Sequence, residues 1–95
     1  MKEHEEFQAV SQFFKVLSDP TRLKILMFLK EGERNVSSIS ETLAMEQSAV
    51  SHQLKLLRDN RLVKARRDGK AKLYSLDDQH VLDVLEQTFR HVLHQ

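Results

Sequence analysis

Residues 36–60 contain two short apolar patterns with a very small gap between them, and this stretch constrains the fold more than any other. Apolar side chains recur at i, i+3 and i+7, and then at i, i+4 and i+7, which are spacings of one helix face. They are Val36, Ile39 and Leu43, followed by Val50, Leu54 and Leu57. Residues 44–46 leave room for only a three-residue turn. Two helices joined so tightly form a helix-turn-helix, whose second helix can enter a DNA major groove.

The second of these helices has a polar face opposite its apolar one. Its side chains are short hydrogen-bonding groups and one cation, which suit base edges and phosphates. These predicted DNA contacts are Gln47, Ser48, Ser51, His52 and Lys55. The alternative is a helical hairpin whose polar face is only solvated.

A basic hairpin is predicted directly after the second helix. Residues 46–72 hold eight basic and three acidic side chains, a net charge of +5 in a chain whose total is +1. Asp68-Gly69 separates two runs of strand-forming residues, and this dipeptide favours a tight hairpin turn. Arg66, Arg67 and Lys70 lie around the tip. The hairpin therefore resembles a DNA-binding wing, whose cations would contact phosphates.

Helices are also predicted on both sides of this unit. Residues 5–17 show a helical apolar stripe, and Asp19-Pro20 is suited to cap and begin a second, central core helix. Asn35 is a plausible cap for the helix that follows. A last helix begins at Asp77 or Asp78 and runs almost to Gln95. It carries more apolar residues than one subunit needs to cover, which suggests packing on a partner subunit.

Composition excludes several classes of protein. The chain has no cysteine, so disulfides, thiolate metal sites and cysteine nucleophiles are excluded. It shows no glycine-rich phosphate loop or nucleophile motif, which argues against an enzyme. Without a signal peptide or a membrane-spanning stretch, we expect one soluble, cytoplasmic domain over residues 1–95. So short a chain buries a limited fraction of its surface, and a dimer that shares a core is expected.

Three histidines lie on one face of the predicted last helix. At about 100° per residue, His91 is about 20° from His80, and His94 is about 40° from it in the other direction. Asp78 stands just before His80. Along the axis, His80 and His91 are about 16 Å apart, whereas metal–nitrogen bonds are about 2 Å long. One straight helix therefore cannot bring all four groups to one ion.

Two antiparallel copies of this helix can do so. Asp78 and His80 of one copy would meet His91 and His94 of the other, and symmetry would make one site per subunit. One carboxylate oxygen and three imidazole nitrogens form a tetrahedral set for zinc, with cobalt as an alternative. The competing interpretation is a row of solvated histidines. A further alternative is a nickel site of higher coordination that recruits His4.

Three segments resemble the ArsR/SmtB family of winged-helix metal-sensing repressors, and the resemblance extends over about residues 14–94. The segments are LSDPTRLKIL (17–26), QSAVSHQLKLLRDNRLVKARRDGKAKLYSL (47–76) and DQHVLDVLEQTFRHVLH (78–94). The last is similar to the C-terminal zinc site of the CzrA-type zinc/cobalt sensors. That site's pattern, Asp-x-His and then His-x-x-His, falls on Asp78, His80, His91 and His94.

The resemblance implies a mainly α (α+β) winged helix-turn-helix with a two-stranded β-hairpin wing and N- and C-terminal dimerisation helices. It also implies a homodimer whose apo form binds a roughly palindromic operator. Zinc would weaken DNA binding and derepress metal-efflux genes. Two features depart from the family pattern. RNVSSIS at residues 34–40 lacks the family's thiolates, which argues against arsenic, cadmium or lead sensing, and Glu46 replaces a frequent Ser or Thr cap.

Two other functions remain as alternatives. The chain can be a winged-helix repressor that responds to nickel or to a non-metal signal. It can also be a metal buffer or scaffold whose winged helix contacts protein; such a protein would show no salt-sensitive DNA affinity.

Overall fold

The computed structural model describes residues 2–93 and has the predicted winged helix-turn-helix architecture. Within residues 2–93, five helices and one two-stranded antiparallel sheet follow each other in the order expected from the sequence. They are α1 (Glu3–Leu17), α2 (Pro20–Leu29), α3 (Val36–Leu43), α4 (Gln47–Asp59), β1 (Val63–Asp68), β2 (Ala71–Leu76) and α5 (Gln79–Leu93). Helix α1 begins two residues earlier than predicted. None of the helices in this part of the chain has the length and apolar character of a membrane span.

The first turns of α2 and α3 are capped by the predicted side chains. The Asp19 carboxylate accepts a hydrogen bond from the Arg22 backbone N–H at 3.0 Å, and Pro20 occupies the first helical position. The Asn35 side-chain oxygen accepts from the Ser38 backbone N–H at 2.8 Å. Each bond satisfies one amide that the helix itself leaves without a partner.

The last turns of α3 and α4 end in a way that the sequence did not reveal. Ala44 and Arg61 adopt left-handed backbone conformations, with φ of 54° and 59°. The amide after each bonds five residues back: Met45 N–H to the Ser40 carbonyl at 3.0 Å, and Leu62 N–H to the Leu57 carbonyl at 2.9 Å. This is the Schellman ending, which usually uses glycine. Because neither position is Gly or Asn, the usual signal was missing.

The core lies between α2, the helix-turn-helix and the inner side of α5. The predicted apolar face of α4 is fully buried, and Ile39 of α3 packs against the same cluster. Helix α2 contributes three buried residues, as expected for the central helix. The buried side chains are Val16, Leu17, Ile25, Leu26, Leu29, Ile39, Val50, Leu54, Leu57, Leu62, Val63, Val81 and Leu85.

The wing, residues 63–76, forms the predicted hairpin. Its strands pair from Val63 with Leu76 to Asp68 with Ala71. Gly69 has φ of 64° in the turn, a conformation that glycine adopts at little cost. The structure adds a backbone pairing that was not predicted. Arg34, between α2 and α3, forms a bridge with Tyr74 on the free edge of β2.

Much of the predicted apolar stripe of α1 is not covered by its own subunit. Phe7, Val10 and Phe14 are 69, 55 and 56% exposed, and Val92 near the end of α5 is 63% exposed. A groove of about 360 Å³ with almost wholly apolar walls lies between the ends of α1, α2 and α5. The two terminal helices thus present one apolar surface beside the core.

Candidate nucleic-acid interface and metal-binding residues

The recognition helix α4 presents all five predicted DNA contacts to solvent. Their side chains are exposed because they lie opposite the buried residues of the same helix. Two of them already have polar partners. The Gln47 amide donates to the Ser37 hydroxyl at 3.3 Å, and the Lys55 ammonium lies 3.2 Å from the Asp59 carboxylate. Both contacts are exposed, so DNA groups can replace them. Ser48, Ser51 and His52 complete the face.

A half-buried arginine links the recognition helix to α1 and α2. Arg22 Nε donates to the Val16 carbonyl at 2.7 Å, and Nη1 donates to the Gln53 side-chain oxygen at 3.4 Å. The side chain therefore caps the end of α1 and contacts α4 at the same time. Only the local capping role of Asp19 was visible in the sequence, because Val16 and Gln53 become neighbours of Arg22 only after the helices pack.

At the start of α4, Glu46 stands where the ArsR/SmtB pattern often has a Ser or Thr cap, as noted from the sequence. Glu46 occupies the N-cap position, and its side chain makes no capping hydrogen bond. Its backbone is extended, with φ of −70° and ψ of 146°, as an N-cap requires. The unusual residue therefore leaves the backbone of the turn intact and removes only the side-chain cap.

The wing carries its predicted cations on exposed positions. Arg67 and Lys70 are exposed, and Lys72 lies beside Tyr74, with its ammonium 6.0 Å from the ring centre. Lys70 and Lys72 also line a cleft of about 380 Å³ that faces the start of α3 near Ser37. Exposed cations at the tip of a hairpin next to a recognition helix are suited to phosphate contacts.

Arg66 differs from the other wing cations because it is held in an ion pair. Its Nε and Nη2 donate to the two carboxylate oxygens of Glu33 at 2.7 and 2.9 Å. This hydrogen bonding holds the pKa of Glu33 below its ordinary value of 4.5 and raises the pKa of Arg66. The prediction that Arg66 contacts DNA therefore competes with a bidentate internal partner that the sequence did not indicate.

Asp78 and His80 lie together where α5 begins. Helix α5 begins at Gln79, one residue after the later of the two predicted starts, and Asp78 precedes it. The Asp78 Oδ1 accepts from the backbone N–H groups of His80 and Val81 at 2.9 and 3.3 Å. The His80 Nδ1 lies 3.3 Å from the same oxygen. The hydrogen bond with His80, together with these backbone bonds, lowers the pKa of the Asp78 carboxyl. Both side chains are well exposed and point away from the core.

His91 is exposed in the last turn of α5, at the opposite end from His80. His94 lies outside the described residues. Within residues 2–93 of a single chain, no three potential ligands come together at one point. Carboxylate and imidazole donors suit zinc or cobalt. Because Asp78 and His80 lie at one end of α5 and His91 at the other, a site that uses all three residues would need a second copy of the helix. His4, the extra ligand of the nickel alternative, lies in the first turn of α1.

Comparison with known proteins identifies close relatives. Residues 19–65 match the family model described as bacterial regulatory protein, arsR family. A transcriptional repressor SmtB homolog from a Synechocystis species is 39% identical over 88 residues, which cover 93% of this chain and 67% of that protein. A cadmium resistance transcriptional regulatory protein CadC homolog from Staphylococcus aureus is 41% identical over 83 residues, or 86% of this chain and 69% of that protein.

A solved structure shows the same fold. The homodimeric winged helix-turn-helix DNA-binding domain of a Mycobacterium bovis protein superposes with a TM-score of 0.91 at 27% identity, over 96% of this chain and 84% of that one. The two relatives above are transcriptional regulators. The predictions of a winged helix-turn-helix and of a non-enzymatic protein are therefore confirmed.

Proposed function

This chain belongs to the ArsR family of bacterial regulatory proteins, and we propose that it is a metal-responsive transcriptional repressor acting as a homodimer in the cytoplasm. Its apo form binds an operator, and zinc or cobalt lowers the affinity for DNA. The regulated genes are metal-efflux genes. The single observation that carries the metal response is the donor set at the two ends of α5, where Asp78 and His80 face solvent together and His91 stands at the far end.

DNA binding would use the exposed face of α4 and the free cations of the wing. Gln47, Ser48, Ser51 and His52 are at positions to reach base edges and phosphates, and Lys55 adds a positive charge. Arg67 and Lys70 would contact neighbouring phosphates. In a homodimer, two recognition helices would enter successive major grooves of a roughly palindromic site.

The homodimer would cover the apolar surface of α1 and α5. Phe7, Val10 and Phe14 are more than half exposed in one subunit, and the apolar groove beside them continues to Val92. A contiguous apolar surface of this kind is typical of a protein–protein contact. The similar Mycobacterium bovis domain is homodimeric, which supports the same assembly here.

The metal would be held by Asp78 and His80 of one subunit and by His91 and His94 of the other. When bound, the ion supplies a fixed link between the two C-terminal helices. The chain prepares one end of this site: backbone amides orient the Asp78 carboxylate, and the adjoining His80 imidazole is already beside it. A second nitrogen on each ligating imidazole can donate to a nearby acceptor and so connect the site to the rest of the subunit. His91 is our candidate for that connection.

The response requires that the metal-bound form and the DNA-bound form differ in subunit arrangement. Because the coupling between two ligands is reciprocal, DNA must weaken metal binding by the same factor by which metal weakens DNA binding. Couplings of this kind typically change affinity by about 5–150-fold. Metal affinity should also fall in acid, because the imidazole ligands must be neutral to bind.

A cobalt(II) titration of the apo-protein tests the metal site without knowledge of the operator. We expect an intense visible spectrum of tetrahedral cobalt that saturates at one metal per subunit and is displaced by zinc. His91→Ala should abolish this spectrum, whereas the matched control His4→Ala should leave it unchanged. A weak spectrum of higher coordination that His4→Ala alters would instead favour the nickel alternative. No binding at all would contradict the metal response.

DNA binding by the same variants tests the regulatory role. Fluorescence anisotropy with operator DNA should show that zinc weakens the wild-type complex. Asp78→Ala and His91→Ala proteins should bind DNA as well as wild type and ignore zinc. If these variants lose DNA binding in the absence of metal, the residues are structural and the proposed sensor role is wrong.

A further inference from the structure

The base of the wing is joined to the segment before α3 by several contacts. Arg34 and Tyr74 exchange two backbone hydrogen bonds, of 3.0 and 2.8 Å. The Arg34 guanidinium also lies 4.9 Å from the centre of the Phe28 ring on α2. Next to this bridge, Glu33 accepts both bonds from Arg66 on β1. These contacts connect the wing with the beginning of the helix-turn-helix.

We infer that Glu33 is a positioning residue for the wing, and that Arg66, held by Glu33, anchors the wing and does not bind a DNA phosphate. Arg67 and Lys70 then make the phosphate contacts of the wing. The inference rests on the proposed DNA-binding function and divides the basic residues of the wing into two roles.

Strand alternation separates Arg66 from its neighbour Arg67. Successive side chains of a strand point to opposite faces of a sheet. Arg67 therefore shares a face with the buried Val63, whereas Arg66 shares the other face with Lys64 and meets Glu33 there. The two arginines are adjacent in sequence but have different surroundings, and only Arg66 is within reach of the Glu33 carboxylate in a bidentate pair.

The geometry of the pair opposes a phosphate contact by Arg66. A guanidinium that binds a carboxylate through two parallel bonds uses its Nε and one terminal nitrogen in a fixed plane, and such charge-assisted pairs are the stronger hydrogen bonds of proteins. To offer this fork to DNA, Arg66 would have to give up both bonds. The Glu33 carboxylate would then remain uncompensated beside a polyanion. The lowered pKa of Glu33 agrees with a carboxylate that stays charged in the pair.

The location of Glu33 explains why this contact matters for DNA recognition. Glu33 lies two residues before Asn35, which caps α3, and one residue before the backbone bridge to Tyr74. The pair therefore sets the direction of the wing relative to the helix-turn-helix. A wing held in this direction keeps Arg67 and Lys70 at a fixed distance and orientation relative to the recognition helix.

The salt dependence of DNA affinity distinguishes an anchoring arginine from a phosphate contact. Each phosphate contact adds about 0.9 to the slope of log affinity against log salt, so losing one contact per wing should reduce the slope by about 1.8 per dimer. We would measure anisotropy with a labelled mixed-sequence duplex, because non-specific binding depends on phosphate contacts. Arg67→Gln should show this reduction. Arg66→Gln, the matched control on the preceding residue, should leave the slope unchanged, because on a non-specific duplex Arg67 and Lys70 still reach phosphates when the wing is no longer held in one direction.

The double variant Glu33→Gln/Arg66→Gln removes the pair without changing the net charge. Its slope should equal that of wild type, which separates a lost contact from a general change in charge. An Arg66→Gln slope reduced as much as that of Arg67→Gln would overturn the inference. Both side chains are exposed, and glutamine keeps their polarity, so the variants should fold.

Hydrogen exchange of the DNA-free protein tests the anchoring role separately. The backbone amides of Arg34 and Tyr74 should exchange several-fold faster in Glu33→Gln than in wild type, and at the wild-type rate in Arg67→Gln. Unchanged exchange in Glu33→Gln would show that Glu33 does not position the wing. If the wild-type protein binds no DNA, the proposed function fails, and this exchange measurement still decides whether Glu33 holds the wing.

Discussion

Replacing Ala44 by glycine should stabilise the protein, because Ala44 holds a left-handed backbone conformation in the turn of the helix-turn-helix. Its φ is 54°, and its amide and the next one bond back to Glu41 and Ser40 of α3. An L-residue in this conformation costs about 1–2 kcal/mol, because its Cβ crowds the backbone. The Ala44 side chain is exposed, so its removal leaves no cavity.

The expected gain is smaller than the strain that glycine relieves. Glycine loses more conformational freedom than alanine on folding, which costs about 0.5–1 kcal/mol. Subtracting the midpoints of these two ranges leaves a net stabilisation by Ala44→Gly of about 0.75 kcal/mol. For a domain of this size, each kcal/mol shifts the midpoint of thermal unfolding by about 4–8 °C, so Tm should rise by about 3–6 °C.

The same substitution at Ala49 is the matched control. Ala49 is exposed in α4, where the backbone is helical, and glycine should there lower the free energy of unfolding by about 0.5–1 kcal/mol. Circular dichroism melts at one fixed protein concentration would compare the two variants, since dimer stability depends on concentration. If both variants lower Tm equally, the left-handed strain assigned to Ala44 is wrong.

Three further outcomes follow from caps, core and ion pair. Asn35→Ala should lower the free energy of unfolding in urea by about 1 kcal/mol, because the Ser38 backbone N–H loses the side-chain oxygen that accepts its hydrogen bond. An unchanged unfolding midpoint would contradict the capping role of Asn35. Leu54→Ala should cost about 2–5 kcal/mol, since Leu54 is 0% exposed; a loss below 1 kcal/mol (about the cost of an exposed helix glycine) would mean that this site is loosely packed. The lowered pKa of Glu33 means that its pair contributes fully above the ordinary value of 4.5 and is lost as pH falls through the lower folded value. Below pH 4.5, hydrogen exchange of the Tyr74 amide should be faster than the pH dependence of exchange in an unprotected amide explains. In Glu33→Gln this additional dependence on pH should be absent.

The local parts of the fold were readable from the sequence because their causes lie within a few residues. The apolar spacing at Val50, Leu54 and Leu57 predicted a helix face that is fully buried. Asp19 and Asn35 cap the helices that follow them, and Gly69 forms the hairpin turn. The helix ends at Ala44 and Arg61 were missed because both residues adopt a left-handed conformation without being the Gly or Asn that usually marks such an ending.

Some features of the candidate site could likewise be predicted from the sequence, and others could not. Exposure of Gln47, Ser51 and His52 follows from helical geometry, since the opposite face is apolar. The spacing of the α5 histidines predicts that one helix cannot assemble the metal site, because His80 and His91 lie at opposite ends of α5. The sequence could not show that Arg66 already has a partner, because Glu33 is 33 residues away.

By itself, the sequence determined the helix-turn-helix, the wing, the capped starts of α2 and α3, and the residue types available to DNA and metal. These depend on periodicity, turn chemistry and caps, which act between near neighbours. Only the tertiary structure decided the Arg34–Tyr74 bridge, the Arg22 contact with Gln53 and the pairing of Arg66 with Glu33. Such contacts join distant segments, and they exist only after packing of the core brings those segments to hydrogen-bonding distance.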